Sequence, residues 1–411
     1  MCDTCFGKLG DFRLVVVAFA LDRLSGSEGK IASELVQIYS NSAKKVYILT
    51  SSLTSKEEIQ KFENQQKQNV TVLSINFPSI FERFGRIGFQ IGVQYWHRYA
   101  TRKLAKMDDL KDIDLGIHVS YGTCLYGTPL RWIGCPYIFG PIGFSYFSFD
   151  FLRVYGINAI GELIRNLTIN ILLKIDPHVR KSISRARIVI PTDNKVKSLI
   201  VRNHKGAKLT ERIPHLAFKD PQFNNLRKEE KVIWVGNFIR KKNPLIVLEI
   251  FNILAPVFPN LTLYFYGKGK LKRVLLSEIG KSPFRQRIHL NEWVSVTKLT
   301  NEIAKSEVLL HTAIRETAGN QIIEGVLSGT KVISSNATNI YEWMENPAIS
   351  FVKVFRYMTK EELAHSYAKE IADWIRLNEK EKENIISSGR RSLTEYSYEM
   401  IAKRTLHQFF K

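Results

Sequence analysis

Apolar residues in this chain cluster in short runs bounded by polar turns, and these runs alternate with longer stretches of helical period. The first run, Phe12-Arg-Leu-Val-Val-Val-Ala-Phe19, predicts a strand. A polar loop from Leu24 to Gly29 follows, then a helical pattern from Ile31 to Asn41 and a second strand from Val46 to Thr50, completing a βαβ unit. Further strands are predicted at Val70 to Ile75, Asp114 to Val119, Tyr137 to Phe139 and Arg187 to Pro191. From Pro214 to Lys231 the chain is charged and rich in turn formers, which predicts an interdomain connection. A second series then begins, with strands at Val232 to Val235, Leu261 to Tyr266, Ile288 to Leu290, Val308 to His311 and Lys331 to Ser335. Helices are expected between them, including Pro244 to Phe258 and Thr297 to Lys305. Strand and helix in alternation imply an α/β protein with doubly wound parallel sheets. The expected architecture is two Rossmann-like domains, residues 1–215 and 216–390, facing each other across a cleft, with a helical segment over 391–411. No repeat appears that would suggest a solenoid.

Length agrees with two cores, since 411 residues exceed one ordinary domain. Charge adds a constraint on partners. The 60 basic and 39 acidic residues give a net charge of +21, which attracts polyanions: nucleic acid, anionic membrane or phosphorylated substrates. The basic residues are scattered through both halves without a zinc finger, RRM signature or zipper basic region, so a nucleic-acid partner is the weaker alternative. Cys2 and Cys5 have C-x-x-C spacing but no second pair or nearby histidine, and no metal site is predicted. The apolar run from Leu14 to Leu21 is short and stops at Asp22 and Arg23, which fits a buried strand rather than a signal peptide or membrane span. The expected compartment is the cytosol. Two segments are both apolar and basic, Phe81 to Lys106 and Phe147 to Arg187. Each is either ordinary helix packing with a solvated basic face or a peripheral surface for the cytoplasmic side of an anionic membrane.

The densest candidate chemistry lies in Arg315-Glu-Thr-Ala-Gly-Asn-Gln-Ile-Ile-Glu-Gly-Val-Leu-Ser-Gly329, directly after a predicted strand. Thr317, Ala318, Gly319 and Asn320 are small and turn-prone and should open a helix through Leu327. Amides at that helix start favour an anionic diphosphate, and Gly319 lets the backbone approach it. Glu316 would reach a donor sugar and Glu324 the ribose hydroxyls. Two glutamates at this spacing, taken alone, equally describe a capped helix with solvated carboxylates. In Val235-Gly-Asn-Phe-Ile-Arg-Lys-Lys-Asn243, Gly236 permits a turn near a ligand and Lys242 offers a point charge to a phosphate. His118 closes an apolar strand, where open α/β sheets bind ligands, although a lone histidine is often structural.

These segments, in order along most of the chain, resemble glycosyltransferase family four, in which the glutamate pair is written E-x7-E. Ser25-Gly-Ser-Glu-Gly29 resembles the family's N-terminal glycine loop, through Gly26 and Gly29. Asp114-Leu-Gly-Ile-His-Val-Ser-Tyr-Gly-Thr123 resembles its histidine-bearing strand end, and Phe139-Gly-Pro-Ile-Gly-Phe144 a Gly-Pro-x-Gly-Gly loop with Phe144 in place of the last glycine. The Gly236 to Lys242 segment resembles G-R-x4-K, with Asn237 where arginine is usual and Arg240 or Lys241 as alternative cations. Tyr266-Gly-Lys-Gly269 resembles a Gly-x-Gly turn of the C-terminal domain. The resemblance implies a GT-B fold and retention of anomeric configuration in sugar transfer from a UDP- or GDP-linked donor, without a metal or other cofactor. It implies Glu316, His118 and Lys242 as catalytic residues. Trp293 and Val294 would line the base pocket, and Gly140, Pro141 and Gly143 an acceptor-side loop. The expected acceptor is a saccharide or lipid-linked saccharide of surface polysaccharide or glycolipid synthesis, and residues 391–411 would brace the N-terminal domain. The alternatives are a nucleotide-sugar epimerase of the same fold and a silent paralogue.

Overall fold

The structure, a computed structural model, describes residues 12–21, 27–65, 69–99, 102, 107–213, 218, 227–317, 319–336, 339–342 and 344–410. Cys2, Cys5 and Gly26 lie outside the described residues, as does Ala318. The chain divides into two compact units. One comprises residues 1–144, 167–217 and 396–411, and the other residues 145–166 and 218–395.

The first unit is built on strands β1 (Arg13–Ala18), β2 (Lys45–Ser51), β3 (Val70–Ile75), β4 (Leu115–Ser120), β5 (Tyr137–Ile142) and β6 (Ile188–Pro191). They form one parallel sheet in the order β3-β2-β1-β4-β5-β6. Helices α1 (Ser27–Ser42), α2 (Lys56–Gln65) and α3 (Gly85–Arg98) join the early strands. Helices α6 (Pro177–Ser184) and α7 (Asn194–Asn203) follow, whereas α4 (Leu152–Tyr155) and the first half of α5 (Ala159–Ile175) fall in the second unit. The predicted polar loop ends earlier than expected, because Ser27, Glu28 and Gly29 already form the first turn of α1. Strands β1 and β4 are buried from Leu14 and Leu115 onward, and their side chains meet Ile31, Leu35 and Val36 of α1 in the core. Both faces of this sheet are covered, which explains near-continuous apolar strands rather than alternation.

The second unit carries β7 (Glu229–Val235), β8 (Thr262–Tyr266), β9 (Ile288–Asn291), β10 (Ser306–Leu310), β11 (Lys331–Ser335) and β12 (Ile349–Val352). They again form one parallel sheet, in the order β12-β11-β10-β7-β8-β9. Its helices are α8 (Pro244–Leu254), α9 (Lys272–Lys281), α10 (Val296–Lys305), α11 (Asn320–Leu327), α12 (Lys360–Ile375) and α13 (Glu379–Ser392). The expected connection over 214–231 is corrected at its end, since Glu229 to Lys231 begin β7. Charge hid this strand start: Lys231 is buried, and its ammonium donates to Glu302 (3.0 Å) and Glu229 (3.1 Å). Strand β12 was not anticipated, being only four residues at a sheet edge.

Two departures from a simple two-part chain stand out. Residues 145–166 group with the second unit, although the sequence reading kept them with the N-terminal domain. The helical pattern over 391–411 is broken: α13 ends at Ser392, a short 3-10 turn spans Thr394–Tyr396, and α14 (Tyr398–Phe410) follows. Helix α14 belongs to the first unit, where Tyr398, Ile401, Ala402 and Leu406 join the core that contains α1.

Candidate functional site

Each sheet reverses its winding once, between β1 and β4 in the first unit and between β10 and β7 in the second. Loops leaving adjacent strands in opposite directions open a crevice at the carboxyl ends of those strands, which is where open α/β sheets take ligands. Lys242 and Glu316 follow the strands that flank the second of these points, and His118 lies near the end of β4 at the first.

In the second unit, Lys242 follows β7 and Glu316 follows β10, so the two neighbouring strands bring them together across 74 residues of sequence. Lys242 Nζ donates to Glu316 Oε2, and both side chains are largely buried, at 15% and 16% exposure. The turn that carries Lys242, Arg240–Lys242, ends at Asn243 in the left-handed region (φ 51), after which Pro244 starts α8. Three hydrogen bonds tie that turn to the loop after β10. Thr312 Oγ1 donates to the carbonyls of Lys242 (3.0 Å) and Asn243 (3.1 Å), and the Ile314 amide donates to the Lys241 carbonyl (3.0 Å). Trp234 Nε1 in turn donates to Thr312 Oγ1 at 3.0 Å. The glutamate and lysine are thus held by backbone contacts and not by side-chain reach alone.

Burial raises the Glu316 carboxyl, but Lys242 and, beyond it, His311 and Lys241 outweigh that and hold it well below the usual carboxylate range. His311 Nε2 lies 3.9 Å from Glu316 Oε2, too far for a hydrogen bond, so the ring acts through space. Its Nδ1 meets Ser334 Oγ at 2.9 Å, and burial depresses its basicity against the opposing pull of Glu316. Glu316 is therefore a carboxylate beside a neutral imidazole at neutral pH. Sequence reasoning marked His311 only as a strand end; its neighbours Thr312 and Ser334 gave no spacing that would have joined them to it.

Arg315 turns away from Glu316. Its Nε donates to Glu162 Oε2 (2.6 Å) and its NH1 to Ser145 Oγ (2.9 Å), fastening the loop to the segment 145–166 of the same unit. Helix α11 is capped by Gly319, whose φ of 62° is left-handed. A Cβ there would meet Ile340 Cδ1 at 1.9 Å, so both conformation and space select glycine. Gly319→Ala is accordingly expected to lose about 1–3 kcal/mol of stability. Urea unfolding measures this directly; a variant as stable as wild type would mean the loop yields without strain. Thr317 is half-buried just before this cap. Asn320 opens α11 with its Oδ1 buried and without a partner, and Glu324 stands on the outward face, while Ile322, Ile323 and Val326 pack inward.

Gly236 follows β7 at close quarters with the turn after β8. A Cβ on Gly267 would meet the Gly236 carbonyl oxygen at 1.8 Å, so the two backbones approach this closely only because Gly267 has no side chain. Asn237 and Arg240 are exposed, and Lys241 is half-buried. Trp293 and Val294 follow β9, two strands from β7; Trp293 is exposed and Val294 half-buried.

In the first unit His118 is buried near the end of β4, beside Val17 of β1 and Phe139 of β5. Its Nε2 faces the Tyr121 carbonyl (2.9 Å) and its Nδ1 meets the Thr128 hydroxyl (3.2 Å). A carbonyl can only accept, so the proton sits on Nε2 and Thr128 donates to Nδ1. Both nitrogens are engaged in ordering the Tyr121 to Thr128 loop. Gly29 lies in the first turn of α1, next to Glu28, which accepts from the Gly122 amide (3.4 Å). Gly140, Pro141 and Gly143 are all buried, and the Gly143 amide donates to the Gly122 carbonyl (2.6 Å). Side chains are excluded from this turn, since a Cβ on Gly143 would meet Thr192 Oγ1 at 2.2 Å. Cys124 and Cys135 are free thiols, both pushed up to about 12 by burial. Among the described residues no group of three or more His, Cys, Asp or Glu side chains is arranged to hold a metal.

Residues 217–392 match the family model of the glycosyl transferases, group 1. That group 1 stretch runs from ahead of β7 to the end of α13 and contains Gly236, Lys242, Glu316 and Glu324. No curated protein sequence matches the chain. Among solved structures, Anabaena HepE in complex with UDP and glucose is similar, with a TM-score of 0.62 at 12% identity over 97% of this chain and 99% of that one. TarM gives a TM-score of 0.64 at 9% identity, over 97% and 99% of the two chains. A structure described as trehalose-6-phosphate from E. coli bound with UDP-2-fluoro glucose gives 0.65 at 12% identity, over 97% and 98%. At these identities the likeness is one of fold: a two-unit α/β protein of the GT-B class.

Proposed function

We propose that the chain is a retaining glycosyltransferase of family four that moves a hexose-type sugar from a UDP- or GDP-linked donor to a saccharide or lipid-linked saccharide. One observation carries the reading: Lys242 and Glu316 meet at the switch point of the second sheet, in the loop that leads into the glycine-capped start of α11. Transfer requires charge building on the leaving diphosphate to be stabilised. The Lys242 ammonium has three donors, of which Glu316 takes one, and the α11 amides with Arg240 or Lys241 add positive potential without a metal. Glu316, held anionic, faces the donor sugar, and Glu324 accepts from the ribose. Trp293 and Val294 line the base. Asn237 leaves one phosphate contact to its cationic neighbours.

In the first unit, Gly29 with the Gly140 to Gly143 turn forms the acceptor side, and His118 orders its floor. Anionic diphosphate and lipid-linked acceptor both suit a chain of net charge +21, working at the cytoplasmic face of a membrane in surface polysaccharide or glycolipid synthesis. No described helix is long and apolar enough to cross a membrane.

Thermal shift with UDP-, GDP- and ADP-sugars tests the donor site. One nucleotide class should stabilise wild type, by about 2.7 kcal/mol at a hundredfold excess over Kd. The same ligand should give little shift in Glu324→Ala. An undiminished shift in that variant would place the nucleotide elsewhere and sink the assignment.

A further inference from the structure

His311 is buried directly after β10, the strand that lies between β11 and β7. Its backbone is fixed on both sides: the amide donates to the Ile333 carbonyl (2.9 Å), and the carbonyl accepts from the Tyr367 hydroxyl of α12 (3.3 Å). On the ring, Nδ1 is engaged with Ser334 Oγ of β11. Nε2 is buried and has no hydrogen-bond partner among the described residues. Buried polar atoms are nearly always paired, so one that is not asks for a reason. This nitrogen faces Glu316, whose Oε2 lies 3.9 Å away and is the same oxygen that accepts from Lys242. An ammonium and an imidazole thus approach one carboxylate oxygen.

While Lys242 holds Glu316, a second cation there is unfavourable. Burial, with Lys242 adding to it, keeps the His311 ring neutral against the pull of Glu316. A donor diphosphate changes this balance, because its oxygens compete for the Lys242 ammonium and bring negative charge of their own. Glu316 is then a buried carboxylate with a divided counter-charge. Among the described residues, the charged groups acting on the His311 ring are Glu316 and Lys242, while Lys241 acts on Glu316 from the turn before α8. Tyr367 approaches from α12, but its hydroxyl donates to the His311 carbonyl and not to the ring. An imidazolium suits these contacts: Nδ1–H donates to the Ser334 hydroxyl, which can accept, and Nε2–H is turned to Glu316.

We propose that His311 is a positioning residue for sugar transfer: as a donor diphosphate draws Lys242 away from Glu316, His311 Nε2 takes a proton from solvent and becomes the counter-charge that keeps Glu316 anionic and in place. This role rests on the reading of Lys242 and Glu316 as the donor site. Proton balance is its signature, since the diphosphate diester of a nucleotide-sugar has no group that titrates near neutral pH. The donor-bound protein carries an extra proton, so binding is tightest at low pH and weakens as pH rises. Calorimetric titration of the full chain with UDP-glucose, UDP-N-acetylglucosamine and GDP-mannose, in PIPES and in imidazole buffer, counts the protons taken up. Uptake is expected at pH 7, with Kd weakening about tenfold from pH 6 to 8. His311→Asn keeps a donor toward Ser334 and has no site for the proton, so its Kd should be flat across that range and its uptake nil. Infrared difference spectra of wild type decide the matter if that variant fails to fold: a proton on Glu316 produces a carboxylic acid band, and a proton on His311 does not. Binding without uptake, uptake that persists in His311→Asn, or a new carboxylic acid band overturns the proposal and leaves the transferase reading standing. Failure of every one of these nucleotide-sugars to bind sinks that reading and the proposal with it.

Discussion

Lys242→Ala is expected to lower both stability and sugar transfer, and adding Glu316→Gln is expected to restore the stability without restoring the transfer. The two side chains are only 15% and 16% exposed, so removing the lysine leaves a buried carboxylate without its main counter-charge. Breaking such a pair from one side costs about 3–5 kcal/mol, with the lower figure apt where some solvent reaches the site. Neutralising Glu316 in the same chain removes the orphaned charge, so the double variant should recover most of that loss. Transfer behaves differently, because Lys242 also acts on the leaving phosphate. Loss of a charge-assisted contact of about 1.5–3 kcal/mol corresponds to about a 10- to 150-fold drop in kcat/KM, which Glu316→Gln cannot repair. Urea unfolding of the two single variants and the double, alongside turnover of the donor found by thermal shift, separates the effects. If Lys242→Ala unfolds like wild type, the pair is not a buried charge pair and the physical basis of the site is wrong.

Mild acid should destabilise the first unit well before its carboxylates titrate. His97 and His178 are buried, and each is depressed to about 3: burial acts first, then His118 on His97, and Arg131 with Arg98 on His178. The unfolded chain binds these protons near the ordinary histidine value of about 6.5. Below that pH the unfolded state carries more protons than the folded one, so stability is fully present above about pH 6.5 and falls as pH drops toward 3. Each histidine contributes up to about 1.4 kcal/mol per pH unit, so the pair can remove up to about 4 kcal/mol between pH 6.5 and 5. Glu316 has the opposite origin but the same sign. Its depressed carboxyl supports folding above the ordinary glutamate range and yields only at lower pH. Stability measured from pH 7.5 to 5, for wild type and for His97→Asn with His178→Gln, checks this. The wild-type curve should fall and the variant's flatten; parallel curves would mean the histidines are protonated in the folded state.

Strands were the most legible part of the sequence, and for a physical reason. A strand covered on both faces must be apolar almost throughout, so the apolar runs Phe12 to Phe19 and Asp114 to Val119 fall within one residue of β1 and β4, which are buried from Leu14 and Leu115 onward. The failures lie where charge is buried with a partner or where the element is short. Lys231 looked like a linker residue until Glu302 and Glu229 were seen around it. Of the site, local spacing marked Glu316, Gly319 and Lys242, because a helix start after a strand has recognisable chemistry. It could not reveal His311 and Ser334, or Arg315 with Glu162, since these pairs are assembled by the sheet order and the return of 145–166. No pattern within a single element encodes such meetings.

The distribution of the chain between its units has a consequence during synthesis. Domains are commonly completed in order as a chain emerges, the N-terminal one first. Here the core around α1 includes Ile401 and Leu406, while residues 145–166 belong with strands that begin at Glu229. A nascent chain that has released only residues 1–217 would therefore have an apolar groove along α1 with nothing to fill it, and a stretch in its middle whose partners are still to be translated. The ribosome delivers the last piece of the first unit after nearly all of the second. Chaperone engagement should persist until α14 emerges, and a nascent chain arrested before Tyr398 should remain protease-sensitive in the first unit, whose core lacks Tyr398, Ile401 and Leu406, while the second unit is already complete.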